Sequence, residues 1–114
     1  MINEKEIRNL ENYLEMKRKE LEKEKNKLES VTEERNEYVN TKIEIEQKIK
    51  ELKEKEGLTE GVLKHIHSLE GALSTYEEDI LRLTAEMVTK NEVIEDLSYD
   101  IEMTEEELKL EKDK

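Results

Sequence analysis

Residues 52–63 read Leu52-Lys-Glu-Lys-Glu-Gly57-Leu-Thr-Glu-Gly61-Val-Leu63, and this stretch decides the fold. It holds two of the three glycines of the chain, and the heptad patterns on its two sides follow different frames. A glycine just after a helix takes the left-handed backbone conformation at little cost. Thr59 offers a side-chain oxygen that can cap a following helix. We therefore predict a helical hairpin whose corner is formed by residues 57–59, namely Gly57, Leu58 and Thr59.

Apolar residues beside the corner are placed to hold it closed. The first helix is predicted to end at Glu56. When a left-handed glycine follows a helix, the next residue is often apolar and packs back on the last turns, which places Leu58 against Leu52. Leu58 also precedes the cap of the second helix, so it can staple onto Leu63, which lies four residues after that cap. The corner thus has signals for both helix ends.

The first helix is predicted over about residues 4–56. Asn3 followed by Glu6 is a capping-box pattern, and Ile2 is placed to staple onto Ile7. Neither proline nor glycine interrupts the run, which continues for roughly 80 Å at 1.5 Å per residue. In a coiled coil, heptad positions a and d face the partner helix. The apolar residues at these positions are Ile7, Leu10, Leu14, Leu21, Leu28, Val31, Tyr38, Ile45, Ile49 and Leu52.

The second helix is predicted over about residues 60–112, in a displaced frame. If the first frame continued through the corner, Glu70 and Glu77 would occupy a positions, whereas the neighbouring Leu69 and Tyr76 are the apolar residues. One frame therefore cannot serve both halves. The apolar a and d residues of the second frame are Val62, Ile66, Leu69, Leu73, Tyr76, Ile80, Leu83, Met87, Ile94, Leu97, Ile101 and Leu108.

The a and d positions of the two helices together form a seam, and the charged residues at these positions favour a hairpin over a continuous rod. A corner of this length pairs residues whose numbers sum to about 118, which sets a against d as an antiparallel coil requires. Lys17 then meets Ile101, and Glu24 meets Ile94. In a parallel homodimer Lys17 and Glu24 would each face their own copy, so like charges would meet in a half-buried seam. A continuous parallel dimeric coiled coil with a register slip near 57–61 stays open as the alternative.

Composition and charge limit the classes of function. Charged residues make up 46% of the chain, so the apolar material suffices for a seam rather than a globular core. We expect a single coiled-coil domain over 1–114, or a fragment of a longer coiled-coil protein. Residues 57–114 carry 6 basic and 16 acidic side chains, so nucleic acid is not an expected partner. The chain has no cysteine and no apolar run of about 20 residues, which indicates an intracellular protein, cytoplasmic or cytoskeletal, without membrane insertion.

The residue patterns of catalytic and metal sites are missing from the sequence. His65 and His67 are two residues apart, so on a helix they point to different faces and cannot chelate one ion together. Acidic runs such as 105–107 lack the alternating loop and glycine of calcium hands, and a solvated acidic face is the preferred interpretation. We therefore predict no catalytic, cofactor-binding or metal-binding residues, no cofactor, and no enzymatic activity.

A lone two-helix hairpin buries only one stripe per helix, so two hairpins could associate into a four-helix bundle. We place that contact at Val39, Ile43, Val88 and Val93, which lie off the a and d positions. The alternative is that scattered surface apolar residues need no partner. The expected partners are a second copy of the chain, in a homo-oligomer and most simply a dimer, and other proteins.

The heptad pattern resembles the general class of long antiparallel coiled-coil arms and of rod segments in filamentous proteins. This resemblance implies a mechanical role. We expect a non-enzymatic structural coiled coil that acts as a spacer, oligomerisation or scaffolding element. The alternative is a protein-binding helical hairpin whose tip, around Leu58, recognises a partner protein.

Overall fold

Two long α-helices make up the computed structural model, which describes residues 3–55 and 57–114. Helix α1 spans Glu4–Glu54 and helix α2 spans Glu60–Lys112. The chain reverses direction between them, so the predicted all-α antiparallel hairpin is confirmed and the continuous rod is not formed. The predicted roles of Ile2 and Glu56 lie outside the described residues.

Helix α1 begins with the cap that the sequence indicates. The backbone N–H of Glu6 donates to Asn3 Oδ1 over 3.1 Å, and Asn3 Nδ2 donates to Glu6 Oε2 over 3.2 Å. The first bond satisfies one of the N–H groups that have no partner within the helix. The acidic side chains of Glu4 and Glu6 in the first turn also oppose the positive end of the helix dipole.

The corner between the helices combines a left-handed glycine with a capping threonine. Helix α1 ends at Glu54, two residues earlier than predicted. Gly57 has a φ of 75°, the left-handed conformation expected for it. Thr59 Oγ1 accepts a hydrogen bond of 3.2 Å from the N–H of Val62, which caps α2. Leu58 and Leu63 keep 50% and 52% of their surface exposed, so neither becomes part of the buried cluster beside the corner.

The molecule divides into two compact units, and the first, the corner unit, comprises Val31–Met87. Its core beside the corner is formed by Ile49, Leu52 and Ile66, which are all buried. The partly buried residues packed against this cluster are Ile45, Val62, Leu69 and Leu73. The antiparallel pairing predicted around Leu52 and Ile66 therefore brings together the residues that form this core.

The terminal unit comprises the residues up to Ser30 together with Val88–Lys114. Its buried apolar side chains are those of Leu14, Leu97 and Ile101. Thr104 is the buried polar residue among those described here, and its Oγ1 donates to the carbonyl oxygen of Asp100 over 2.7 Å. The hydroxyl is thus satisfied within its own helix, which removes the main cost of burying it.

Replacing glycine by alanine is expected to have opposite effects on the free energy of unfolding at two positions of the hairpin. Gly57→Ala should lower the free energy of unfolding by about 1–2 kcal/mol, because a side chain disfavours the left-handed conformation. Gly71→Ala should raise it by about 1 kcal/mol, because alanine favours a helix interior. A methyl group at either position meets no atom within 4 Å, so packing does not obscure the comparison. Urea unfolding followed by circular dichroism measures both changes. If the two variants change the free energy of unfolding in the same direction, this account of the corner is contradicted.

Candidate functional site

The seam between α1 and α2 is the largest feature of the described surface and core. In the corner unit, the a and d positions from Val31 to Leu52 and from Val62 to Met87 are all buried or half-buried. In the terminal unit, the same holds from Ile7 to Leu28 and from Lys90 to Leu108. Each helix thus covers the apolar stripe of the other within its own unit, which accounts for the stripe without a second chain.

Polar seam residues of the corner unit find partners across the hairpin. Arg35 Nε donates to Thr84 Oγ1 over 2.8 Å, and Thr84 Oγ1 donates to the carbonyl oxygen of Ile80 over 2.7 Å. Lys42 Nζ lies 4.0 Å from carboxylate oxygens of both Glu46 and Glu77. Arginine and lysine can therefore occupy a positions here, since their stems cover the seam while their charged groups reach its edge.

The two tyrosines of the seam contact each other. The rings of Tyr38 and Tyr76 are nearly perpendicular, at 87°, with centroids 5.6 Å apart. An edge-to-face pair of this kind stabilises by about 1 kcal/mol beyond the burial of its surface. The pairing by residue number sets Tyr38 beside Ile80, but its ring contacts Tyr76, about one turn earlier in α2.

Ion pairs of the terminal unit link the helices along one flank of the seam. Positions e and g flank the a and d positions, and in an antiparallel coil e faces e while g faces g. Arg18 Nη2 lies 3.0 Å from Glu105 Oε1, and Lys112 Nζ lies 3.6 Å from Glu11 Oε1. All four residues occupy e positions. These exposed pairs favour the antiparallel alignment, although each contributes less than about 1 kcal/mol.

A tyrosine and an aspartate join the helices on the opposite flank of the terminal unit. Tyr13 Oη donates to Asp100 Oδ2 over 2.5 Å, and both residues occupy g positions. This hydrogen bond to a carboxylate raises the pKa of the Tyr13 phenol above its ordinary value, with partial desolvation and the negative charge of Asp100 acting in the same direction. Lys17 Nζ lies 5.4 Å from the centre of the Tyr13 ring and 3.4 Å from Glu20 Oε2.

Removing the negative charge from the residue that accepts the hydrogen bond should lower the pKa of Tyr13. In Asp100→Asn the carboxylate charge is lost, so the phenolate of Tyr13 should form at lower pH than in the parent protein. Because the pKa of Tyr13 is raised in the folded state, its hydrogen bond to Asp100 stabilises the folded protein fully below pH about 10. This contribution is lost as the pH rises through the folded-state pKa. Ultraviolet titration against Tyr13→Phe identifies the signal. Glu102→Gln removes a carboxylate two residues after Asp100 in the sequence and is the control, and an unchanged Tyr13 titration in Asp100→Asn would refute the assignment.

The residues predicted as partner contacts are divided between the two units. Val39 is half-buried at an e position and Ile43 is 57% exposed at the following b position, so both lie on the e side of the corner unit. Val88 and Val93 belong to the terminal unit, where Val88 is a b position and Val93 a g position. Neither is buried.

An exposed leucine of the corner unit was missed by the sequence reasoning. Leu81 is 72% exposed at a b position of α2, directly after the seam residue Ile80. The heptad frame alone indicates that a leucine at a b position is exposed, so the sequence could have identified it. We define the Ile43–Leu81 surface as the b and e residues of 36–43 on α1 and 74–84 on α2, namely Asn36, Val39, Ile43, Ser74, Glu77, Leu81 and Thr84.

Two open grooves and the two histidines complete the candidate features. A groove of about 570 Å³ in the corner unit lies beside the Lys53–Glu70 contact, above Ile49 and Leu73. A groove of about 660 Å³ in the terminal unit is lined by the ion-paired side chains at its e positions. His65 and His67 are exposed. In residues 3–55 and 57–114, no group of three or more potential metal ligands comes together.

Comparisons with protein-family models, with curated proteins and with solved structures gave no match. Within the described part of the chain, neither helix has a stretch that is both long and apolar enough to cross a membrane.

Proposed function

We propose that this chain is a non-enzymatic structural element, a coiled-coil hairpin that acts as a spacer or scaffold and also as an oligomerisation element. The observation that carries the proposal is the seam, because the a and d residues of each unit are covered by the other helix of the same chain. A hairpin closed in this way holds its two helices at a defined separation without a partner chain. An intracellular location, cytoplasmic or cytoskeletal, belongs to the same proposal.

The ionisable side chains support a structural rather than a catalytic role. Catalytic groups need a concave and partly dry site that separates their pKa values. Here Lys42, Lys53 and Arg18 lie next to carboxylates along open flanks of the seam. Such contacts align helices, and both grooves have walls made of these pairs.

Spin labels test whether the hairpin holds its geometry as a single chain. The chain has no cysteine, so Glu11→Cys and Lys109→Cys introduce the only labelling sites, and both line the groove of the terminal unit. We expect strong dipolar broadening from a separation on the order of the 10 Å between packed helices, unchanged by dilution. Singly labelled controls remove intermolecular signal. A broad distribution, or a separation that grows on dilution, would overturn the proposal.

A second candidate function is recognition of a partner protein by the tip. The exposure of Leu58 and Leu63 beside the corner favours it, because two large apolar side chains stay half-uncovered at one end of the corner unit. A photo-crosslinking amino acid at Leu58 should give one specific adduct in cells. The same residue at the exposed Leu110 serves as the control, and equal labelling from both positions would reject tip recognition.

A further inference from the structure

One side of the corner unit is identified by contacts that cross between its helices. Lys53 and Glu70, both at e positions, approach to 3.9 Å. Arg35 and Lys42 reach Thr84 and Glu77, which are also e positions of α2. The e positions of both helices therefore lie on the same side of this unit, and the b positions extend that side outward. The Ile43–Leu81 surface lies on this side.

The Ile43–Leu81 surface carries one charged residue, Glu77, in a chain where nearly half of the residues are charged. Its other six residues are Asn36 and Ser74 at b positions, Thr84, and the apolar Val39, Ile43 and Leu81. Ile43 and Leu81 expose more than half of their surface. Glu77 is the charged residue at the b and e positions within this stretch of the described chain, and Lys42 Nζ lies 4.0 Å from its Oε1. An exposed apolar surface with a polar border is typical of a protein contact.

The opposite side of the corner unit is acidic at the same level. Its c and g positions there include Glu34, Glu37 and Glu44 on α1, with Asp79 and Glu86 on α2. Arg82 is the basic residue among them and lies 3.7 Å from Asp79. Two copies of this side would repel each other, because like charges facing one another oppose association.

Charge also indicates which partner the Ile43–Leu81 surface fits. In a two-fold contact the same surface of both copies meets. A charged residue near the axis therefore faces the same residue of the other copy, or residues beside it. The chain has a net charge of −12, so a second copy can approach most closely through a surface that carries little charge, such as this one, where Lys42 lies beside Glu77. A basic partner would instead be drawn to the acidic c and g side.

The exposed area of the chain is large enough for such a contact. The chain exposes 8569 Å², whereas folded monomers of 13.6 kDa expose about 6,600 Å² according to the scaling of surface with mass. The excess is about 2,000 Å². A stable dimer of standard size buries about 800 Å² on each copy, which is less than the excess exposed over the whole chain.

We propose that a second copy of this chain docks on the Ile43–Leu81 surface, so that two corner units form a two-fold dimer with four helices at the contact. This inference deepens the proposed structural function and rests on it. Val39, Ile43 and Leu81 of each copy form the apolar centre, and Asn36, Ser74 and Thr84 border it. Val88 and Val93 are not needed for this contact.

Sedimentation equilibrium of the full chain tests the dimer. We expect twice the monomer mass of 13.6 kDa at high concentration. Leu81→Lys and Ile43→Lys should each raise the dissociation constant at least tenfold, because each places a lysine in the apolar centre. Both variants reduce the net negative charge, so general repulsion cannot explain a loss of dimer. Leu110→Lys makes the same charge change at an exposed leucine of the terminal unit and should dissociate like the parent.

Cross-linking gives a second test that leaves the apolar centre unchanged. Ser74→Cys places a thiol on the Ile43–Leu81 surface, and Thr75→Cys places one at the next residue, a c position on the other side. Because the chain has no cysteine, a short bismaleimide can join only two copies. Ser74→Cys should give much more covalent dimer than Thr75→Cys. Equal yields, or a larger yield from Thr75→Cys, would overturn the proposed surface.

The outcomes separate this inference from the proposed function. A parent chain that stays monomeric at all concentrations overturns the dimer, and so does a dimer that neither lysine variant weakens. If the spin labels at positions 11 and 109 remain close in that monomer, the structural hairpin stands without the dimer. If those labels separate on dilution, the proposed function itself fails. Circular dichroism of each lysine variant verifies that its helices are intact.

Discussion

Leu83→Ala is expected to lower the free energy of unfolding by about 3 kcal/mol, a large share of the stability of a fold with one seam. Leu83 is the most deeply buried side chain of the described residues, with 1% of its surface exposed. Shortening it removes apolar burial and leaves a cavity that the long helices can only partly fill. The neighbouring Arg35–Thr84 hydrogen bond limits how far α2 can shift towards α1.

The measurement is urea unfolding followed at 222 nm, at a fixed protein concentration. Leu110→Ala is the matched control, since it removes the same atoms from an exposed leucine of α2 and should change the unfolding free energy by less than about 0.5 kcal/mol. If both variants lose the same stability, the seam as described is not what holds the corner unit together.

Ile66→Lys should have an effect of similar or greater size, about 4 kcal/mol, through a different cause. Ile66 is buried between Ile49 and Leu52, and the cluster offers its side chain no acidic partner among the residues packed there. A lysine must either lose its charge or pull the helices apart to reach water. We expect a large loss of helical signal at ambient temperature.

Leu63→Lys is the control for the corner unit. Leu63 lies less than one turn before Ile66 on α2 and is half exposed, so a lysine there remains in water. Helicity should be retained, which also leaves a folded variant for testing the tip. Thermal unfolding by circular dichroism distinguishes the two variants, and equal loss of structure in both would contradict the assignment of Ile66 to the core.

Much of this fold was predictable because the helices meet along a periodic seam. The frame change across Gly57 predicted the reversal, and the caps at Asn3 and Thr59 follow from side chains that can accept a backbone N–H. The end of α1 at Glu54 rather than residue 56 was not predictable, since Lys55 and its neighbours have ordinary helix propensities.

The candidate surfaces were harder to predict than the seam. Val39 and Ile43 were identified as off-seam apolar residues, but Leu81 was missed because a single leucine next to Ile80 does not disturb the heptad count. Its importance depends on which flanks of the two helices share a side, and cross-helix contacts such as Lys53–Glu70 provide that information. The contact between Tyr38 and Tyr76 depends on side-chain reach, which residue numbers do not encode.

The spacing of the cross-helix contacts along the chain has a consequence for the folding kinetics. Lys53 and Glu70 are 17 residues apart in sequence, whereas Glu11 and Lys112 are 101 apart. Closing the longer loop first would cost about 1.6 kcal/mol more in chain entropy. Folding should therefore nucleate beside Gly57 and proceed towards the termini. Substitutions in the Ile49–Leu52–Ile66 cluster should then slow folding, whereas substitutions around Leu14 and Thr104 should mainly accelerate unfolding.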